Sequence, residues 1–80
     1  MTAKEIIKEY VKTTRTKYLN APMIASGAQS LGDYKYGKFY SQGNYERRFR
    51  ELKNEGKLDL KEVKKDLRGN AFRFVTWVRA

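Results

Sequence analysis

Arginines and side-chain amides are concentrated in one short basic segment, residues 41–60, SQGNYERRFRELKNEGKLDL. Arg47 and Arg50 are three residues apart, so on a helix they share one face. Arginine attracts phosphate through its charge, and Arg, Asn and Gln can pair with the edges of bases. The side chains that could contact a nucleic acid in this way are Gln42, Asn44, Arg47, Arg48 and Arg50.

A helix over about 42–55 is needed to position these side chains, and its signals are clear. Ser41 can cap it, because a serine hydroxyl accepts from the free N–H groups of a first turn. Tyr45, Phe49 and Leu52 recur at i, i+4 and i+7, which predicts one buried face. Gly56 is placed to end the helix in a left-handed conformation. The arginines then face away from the core.

An ordinary solvated face is the alternative interpretation of this helix. Three acidic residues partly neutralise its arginines, namely Glu46, Glu51 and Glu55. The helix pattern alone therefore does not distinguish a nucleic-acid contact from a charged surface, and the composition of the whole chain must be considered.

Charge and composition favour a polyanionic partner. The chain has 80 residues, predicted to form a single domain over 1–80, and its 18 Lys and Arg exceed 9 Asp and Glu to give a net charge of +9. Such an excess favours nucleic acid or an anionic membrane surface. There is no cysteine and no histidine, so the commonest general base and metal ligands are missing. We expect no enzyme activity, no cofactor, no metal site and no small-molecule substrate.

Membrane insertion is not expected. No apolar run approaches the ~20 residues that span a bilayer, and the first residues, MTAKEIIKEYVKTT, lack the apolar core of a signal peptide. The expected location is the cytoplasm, with the nucleic acid.

Two further helices are predicted before the basic helix. Thr2 and Glu5 form a T-x-x-E capping box for a helix over 2–13. Asn20 can cap a second helix, which we expect to be short, with an extended segment at 14–19 before it. Their predicted inward faces are Ala3, Ile6, Ile7, Tyr10 and Val11 for the first, and Met23, Ile24, Ala28 and Leu31 for the second.

Residues 32–40, GDYKYGKFY, are predicted to form a loop in which aromatic rings alternate with lysines. Such rings can stack on bases, or they can cover a small core. We expect Phe39 and Tyr40 in the core, because they adjoin the start of the basic helix, and we favour stacking by Tyr34 or Tyr36 less. Lys35 and Lys38 are further candidates for nucleic-acid contact.

The chain then continues as a predicted β-hairpin, with strands at 58–63 and 71–79. Its turn, KKDLRGN, contains three basic candidates, Lys64, Lys65 and Arg68. The sequence does not decide which face of the second strand is buried. The face that packs on the helices contains either Phe72, Phe74 and Val78 or Val75 and Trp77.

This order of elements resembles the winged helix-turn-helix superfamily over nearly the whole chain. The resemblance rests on the helix SQGNYERRFRELKNEG, the strand KLDL after it and the terminal TWVR. It implies an α+β, three-helix winged helix-turn-helix domain with a C-terminal β-hairpin wing. In this family the third helix enters the major groove, which here implies that Gln42, Asn44, Arg47 and Arg50 contact bases or phosphates and that Lys64, Lys65 and Arg68 contact the flanking backbone.

Double-stranded DNA is therefore the expected partner. We expect the protein to be a small regulator or accessory factor of transcription, replication or recombination, of a viral or phage-like type. Two alternatives stay open. One is a protein-interaction module with an acidic partner or a homodimer. The other is binding of RNA or single strands through the aromatic and basic loop 32–40.

Overall fold

The computed structural model describes residues 1–63 and 76–79, and in these ranges the chain is an α+β protein with three α-helices and a small antiparallel sheet. This confirms the predicted class at that level. The elements in chain order are α1 (Ala3–Thr13), β1 (Tyr18–Asn20), α2 (Ala21–Leu31), a π-helical turn (Gly32–Tyr36), α3 (Gln42–Asn54), β2 (Leu60–Val63) and β3 (Thr76–Arg79).

The sheet has β3 at its centre, with β1 and β2 antiparallel on either side. Leu19 of β1 lies opposite Trp77 of β3, and Val63 of β2 lies opposite Thr76. The extended segment predicted at 14–19 thus contributes a true edge strand. The next predicted strand starts at Leu60 rather than residue 58. Residues 71–75 of the last predicted strand, with Phe72, Phe74 and Val75, lie outside the described residues.

Each helix begins at the side-chain cap that the sequence predicts. The Thr2 hydroxyl accepts from the N–H of Glu5 at 3.2 Å, and the Glu5 carboxylate accepts from the N–H of Thr2 at 2.9 Å. Asn20 and Ser41 each accept from the N–H three residues further on, at 2.9 and 3.2 Å. The residue after the C-cap of α3 is Gly56, whose φ of 69° is a left-handed conformation that side chains disfavour. Local capping therefore fixes where the helices start and where α3 stops.

The core lies between the three helices and one face of the sheet. Trp77 resolves the open question about β3, because its ring meets the Phe49 ring edge-on at 5.1 Å between centroids. The β3 face that contains Trp77 therefore packs on the helices. The largest fully buried side chains are Tyr45, Phe49, Ile6, Ile7, Leu19, Ile24 and Leu52, which confirms the predicted inner faces of α1 and α3.

The second helix is not short, and the predicted loop 32–40 is partly helical. α2 has 11 residues, as many as α1, and continues directly into the π-helical turn. Gly37, with φ 61°, ends this turn, and the N–H of Lys38 donates to the carbonyl of Gly32 at 2.9 Å. Glycine is needed at position 32, because a Cβ there would clash with the Tyr45 hydroxyl of α3. The start of the π-helical turn therefore packs closely against α3.

The expectation that Phe39 is in the core is wrong, since 81% of it is exposed. Tyr40 is half-buried, with its ring edge-on to Tyr45 at 5.9 Å. The physical reason is the hydrophobic staple, which pairs the residue before a helix cap with the fourth helical residue. With Ser41 as cap, these two are Tyr40 and Tyr45, so Phe39 is left outside. On α2, Met23 is likewise 37% exposed, and Ala25 is buried in its place.

No helix in the described ranges has both the length and the apolar character needed to cross a membrane.

Candidate nucleic-acid interface

The exposed face of α3 presents a line of four residues, Gly43, Arg47, Arg50 and Asn54, which we call the outer stripe. Their i, i+4, i+7, i+11 spacing places them on one side of the helix, opposite its buried face. All four are exposed, and neither arginine has an ion-pair partner among the described residues. The predicted orientation of Arg47 and Arg50 is therefore observed, and their charge is available to a partner.

Gly43 leaves the first turn of α3 open. A Cβ built on it would meet no atom within 4 Å, so the packing of the domain does not require glycine here. Glycine inside a helix is unfavourable, but it allows another molecule to approach the backbone closely. The outer stripe therefore combines two charged side chains with a stretch of accessible helix backbone.

Arg48 does not belong to this surface, although the sequence pattern included it. Its Nη1 donates to both carboxylate oxygens of Glu51, at 2.8 and 2.7 Å, and its Nε donates to Asn44 Oδ1 at 3.1 Å. Lys4 of α1 extends this group, with its Nζ 3.4 Å from Glu51 and 3.1 Å from Glu55. We call these five residues the flank network. The Arg48 guanidinium holds the pKa of the Glu51 carboxyl below its ordinary value. Arg48 is thus bound to Asn44 and Glu51 along α3, and Lys4 links α1 to this group through Glu51 and Glu55.

Gln42, the first residue of α3, is exposed. Its side chain makes no hydrogen bond to any residue that the structure describes. Gln42 is therefore accessible at the start of α3, and its contact with a nucleic acid stays a prediction.

The two lysines of residues 32–40 have different surroundings. Lys35 Nζ lies 3.3 Å from Glu9 Oε1 on α1, so it is engaged within the domain. The Tyr36 hydroxyl donates to the other oxygen of Glu9, and this bond, followed by the Lys35 contact, lowers the pKa of the Glu9 carboxyl. Lys38 is exposed and has no ion-pair partner in the described part of the chain. Of the two, only Lys38 is free to attract an anion.

Replacing Tyr36 with Phe is expected to lower the melting temperature at pH 7 and to lower it less at about pH 3. The Glu9 pKa is depressed in the folded state, so its contribution to stability is present above the ordinary glutamate pKa and is lost as pH falls through the depressed value. Thermal unfolding at both pH values measures the effect. Tyr34→Phe is the matched control, because Tyr34 is almost fully exposed. An equal loss at both pH values would mean that Tyr36 acts by packing alone.

The three basic candidates of the hairpin turn, Lys64, Lys65 and Arg68, lie outside the described residues. The strand ends beside them are described. Val63, the residue before Lys64, lies opposite Thr76, and Thr76 also lies opposite Asn20, the cap of α2. Val63 and Thr76 therefore lie at the end of the sheet from which α2 begins.

Arg50 lies close to the same end of the domain. It lines a cleft of about 220 Å³ together with Glu46 of α3 and with Ala21 and Pro22, the first two residues of α2. The start of α2 thus lies beside Arg50 of the outer stripe and next to the strand ends at Val63 and Thr76.

A second groove, of about 500 Å³, lies between α1 and the turn after α3. Lys8, Lys12 and Lys57 line it, with Asp59 as its one carboxylate, so it adds to the positive surface. Nowhere in residues 1–63 and 76–79 do three or more acidic side chains gather as metal ligands would.

Known proteins offer no direct comparison for this interface. No protein family, no curated protein and no solved structure matches the chain.

Proposed function

We propose that the chain is a winged helix-turn-helix domain that binds double-stranded DNA, with α3 in the major groove. The observation that carries the proposal is the outer stripe, where Arg47 and Arg50 are exposed and without an ion-pair partner in the described part of the chain. Two arginines held on one side of a rigid helix suit phosphate oxygens and base edges. α3 has 13 residues and is therefore about 20 Å long, which is enough to lie along a groove about 12 Å wide.

The order and pairing of the elements support this fold. A helix, a short strand, two helices and two further strands follow each other, and β3 lies between β1 and β2. This order is compatible with a winged helix, in which the third helix and the hairpin contact the nucleic acid side by side. The domain would act as a small regulator or accessory factor of transcription, replication or recombination.

The salt dependence of duplex binding tests the proposal. If α3 and the hairpin turn together neutralise about five phosphates, log K falls with log salt at a slope of about −4 to −5. Fluorescence anisotropy with a labelled random-sequence duplex, titrated at several salt concentrations, measures this slope. A slope near zero, or no duplex binding at low salt, would remove the proposal and favour an acidic protein as the partner.

The hairpin turn is expected to add affinity rather than sequence preference. Replacing Lys64, Lys65 and Arg68 with Ala should weaken binding to preferred and random duplexes by similar factors and flatten the salt slope by about two to three, because phosphate contacts need charge but little geometric precision. The same anisotropy titration with both duplexes measures it. A loss of preference at unchanged general affinity would assign base contacts to the turn and would reassign the role given to Arg47 and Arg50.

A further inference from the structure

Two aromatic side chains in residues 32–40, the segment that precedes α3, are almost fully exposed to solvent. Tyr34 is 91% exposed and Phe39 is 81% exposed, whereas the other large apolar residues described as exposed, Met1, Tyr18 and Met23, are less than half exposed. Exposing aromatic surface to water is unfavourable in free energy, so aromatic side chains are usually at least partly buried. The core of this domain does not account for these two positions.

The backbone around the two rings is held in place by the residues between them. Gly37 ends the π-helical turn in a left-handed conformation, and the N–H of Lys38 closes it onto Gly32. Tyr36 is anchored by its hydrogen bond to Glu9.

Tyr40 is anchored as well. Its ring packs on Tyr45, and its carbonyl accepts from Gln29 Nε2 at 3.4 Å. Exposed and anchored aromatic residues therefore alternate along the segment in the order Tyr34, Tyr36, Phe39 and Tyr40. A fixed backbone that turns two rings outward presents them as a preformed contact surface.

The charges near the rings indicate which partner they suit. Lys38 lies next to Phe39, is exposed and has no ion-pair partner within the described ranges, and the whole chain has a net charge of +9. A flat apolar face beside a free cation matches a nucleobase followed by its phosphate. A stable protein partner would need a contact area of about 1,200 Å² or more, which two rings on one turn do not supply.

The position of the rings limits which bases they could meet. Phe39 precedes Ser41, the cap of α3, by two residues, so their Cα atoms are at most about 7 Å apart. A duplex on the outer stripe would thus run close to Phe39. Bases inside a duplex are stacked on one another, however, so a protein side chain cannot stack on their faces.

We propose that Tyr34 and Phe39 form a stacking platform for unpaired bases that flank the duplex held by α3. The protein then prefers a junction between double-stranded and single-stranded nucleic acid over a continuous duplex. This inference rests on the proposed function, because the duplex contact of α3 brings the strand to the rings.

A comparison of two labelled ligands tests the inference. One is a blunt random-sequence duplex, and the other is the same duplex with a single-stranded extension of several nucleotides at its 3′ or 5′ end. Anisotropy titration should show at least one of the extended duplexes binding about tenfold more tightly than the blunt one. The Tyr34→Ser, Phe39→Ser double variant should lose this gain and keep the affinity for the blunt duplex. The Tyr34→Phe, Phe39→Tyr variant retains both rings and should retain the gain.

A second measurement does not depend on any variant. A 2-aminopurine placed in the extension should lose fluorescence when wild-type protein binds, because stacking on a ring quenches it. An unchanged signal, or equal affinity for blunt and extended duplexes, would overturn the inference and leave duplex binding intact. Absence of duplex binding altogether would overturn both proposals. If sedimentation shows a wild-type dimer that the serine variant converts to a monomer, a second copy of the chain occupies the rings, and the inference is again overturned.

Discussion

Phe49→Ala is expected to lower the free energy of unfolding by about 3–5 kcal/mol. Phe49 is 1% exposed, and its ring lies edge-on to Trp77, so its removal opens a cavity where α3 meets the sheet. A domain of this size has a total stability of roughly 4–12 kcal/mol, so this one change removes a large part of it. Urea unfolding followed by the fluorescence of Trp77, the only tryptophan, measures the loss.

Arg47→Ala is the control for this prediction. Arg47 is exposed on the opposite side of the same helix, so its replacement should change the free energy of unfolding by no more than about 0.5 kcal/mol. Equal losses for the two variants would mean that α3 faces the other way.

Replacing Arg47 and Arg50 together with Ala is expected to weaken duplex binding by about thirtyfold or more. An arginine that contacts a base contributes about 1–3 kcal/mol, and two such losses add to at least about 2 kcal/mol. The fold should survive, because both side chains lie outside the core. Anisotropy titration at one fixed salt concentration gives the affinities, and circular dichroism verifies the helices.

A comparison of Arg48→Ala with Arg50→Ala tests whether duplex affinity depends on the position of an arginine on α3 or only on the net charge. Each change removes one positive charge from α3, but the Arg48 guanidinium is already engaged by Glu51 and Asn44. We expect Arg48→Ala to weaken binding much less than Arg50→Ala. Similar losses for both would show that binding follows net charge and not the outer stripe.

Much of this fold follows from short-range patterns in the sequence. The caps at Thr2, Asn20 and Ser41 depend on residues three positions away, and the inner face of α3 depends on its own periodicity. Such local patterns predict the structure correctly because the groups that interact are close together in the sequence. The directions of Arg47 and Arg50 follow from the same periodicity.

Features that depend on contacts between elements could not be predicted in this way. Lys4 pairs with Glu51 and Glu55 only because α1 and α3 pack side by side. The inward face of β3 depends on what Trp77 meets, since alternation fits either face.

Two features of the structure that were not predicted had signals in the sequence. Arg48 has Glu51 three residues after it and Asn44 four residues before it, which are the spacings of partners on a helix. Tyr40 and Phe39 could be told apart by their distance from the Ser41 cap, because the hydrophobic staple uses the nearer one.

The central position of β3 also governs how the domain can form during synthesis. Among the residues that the structure describes, β1 and β2 do not pair with each other, and each pairs with β3. The ribosome makes β1 more than fifty residues before residue 76, so β1 cannot pair until β3 is made. During this time α1, α2 and α3 can already pack together. Closing a sheet between segments so distant in sequence is slow compared with forming helices. Until Trp77 is made, Phe49 lacks the ring that packs against it. The nascent helices therefore expose part of their apolar surface until β3 is made, joins β1 and β2 and covers it.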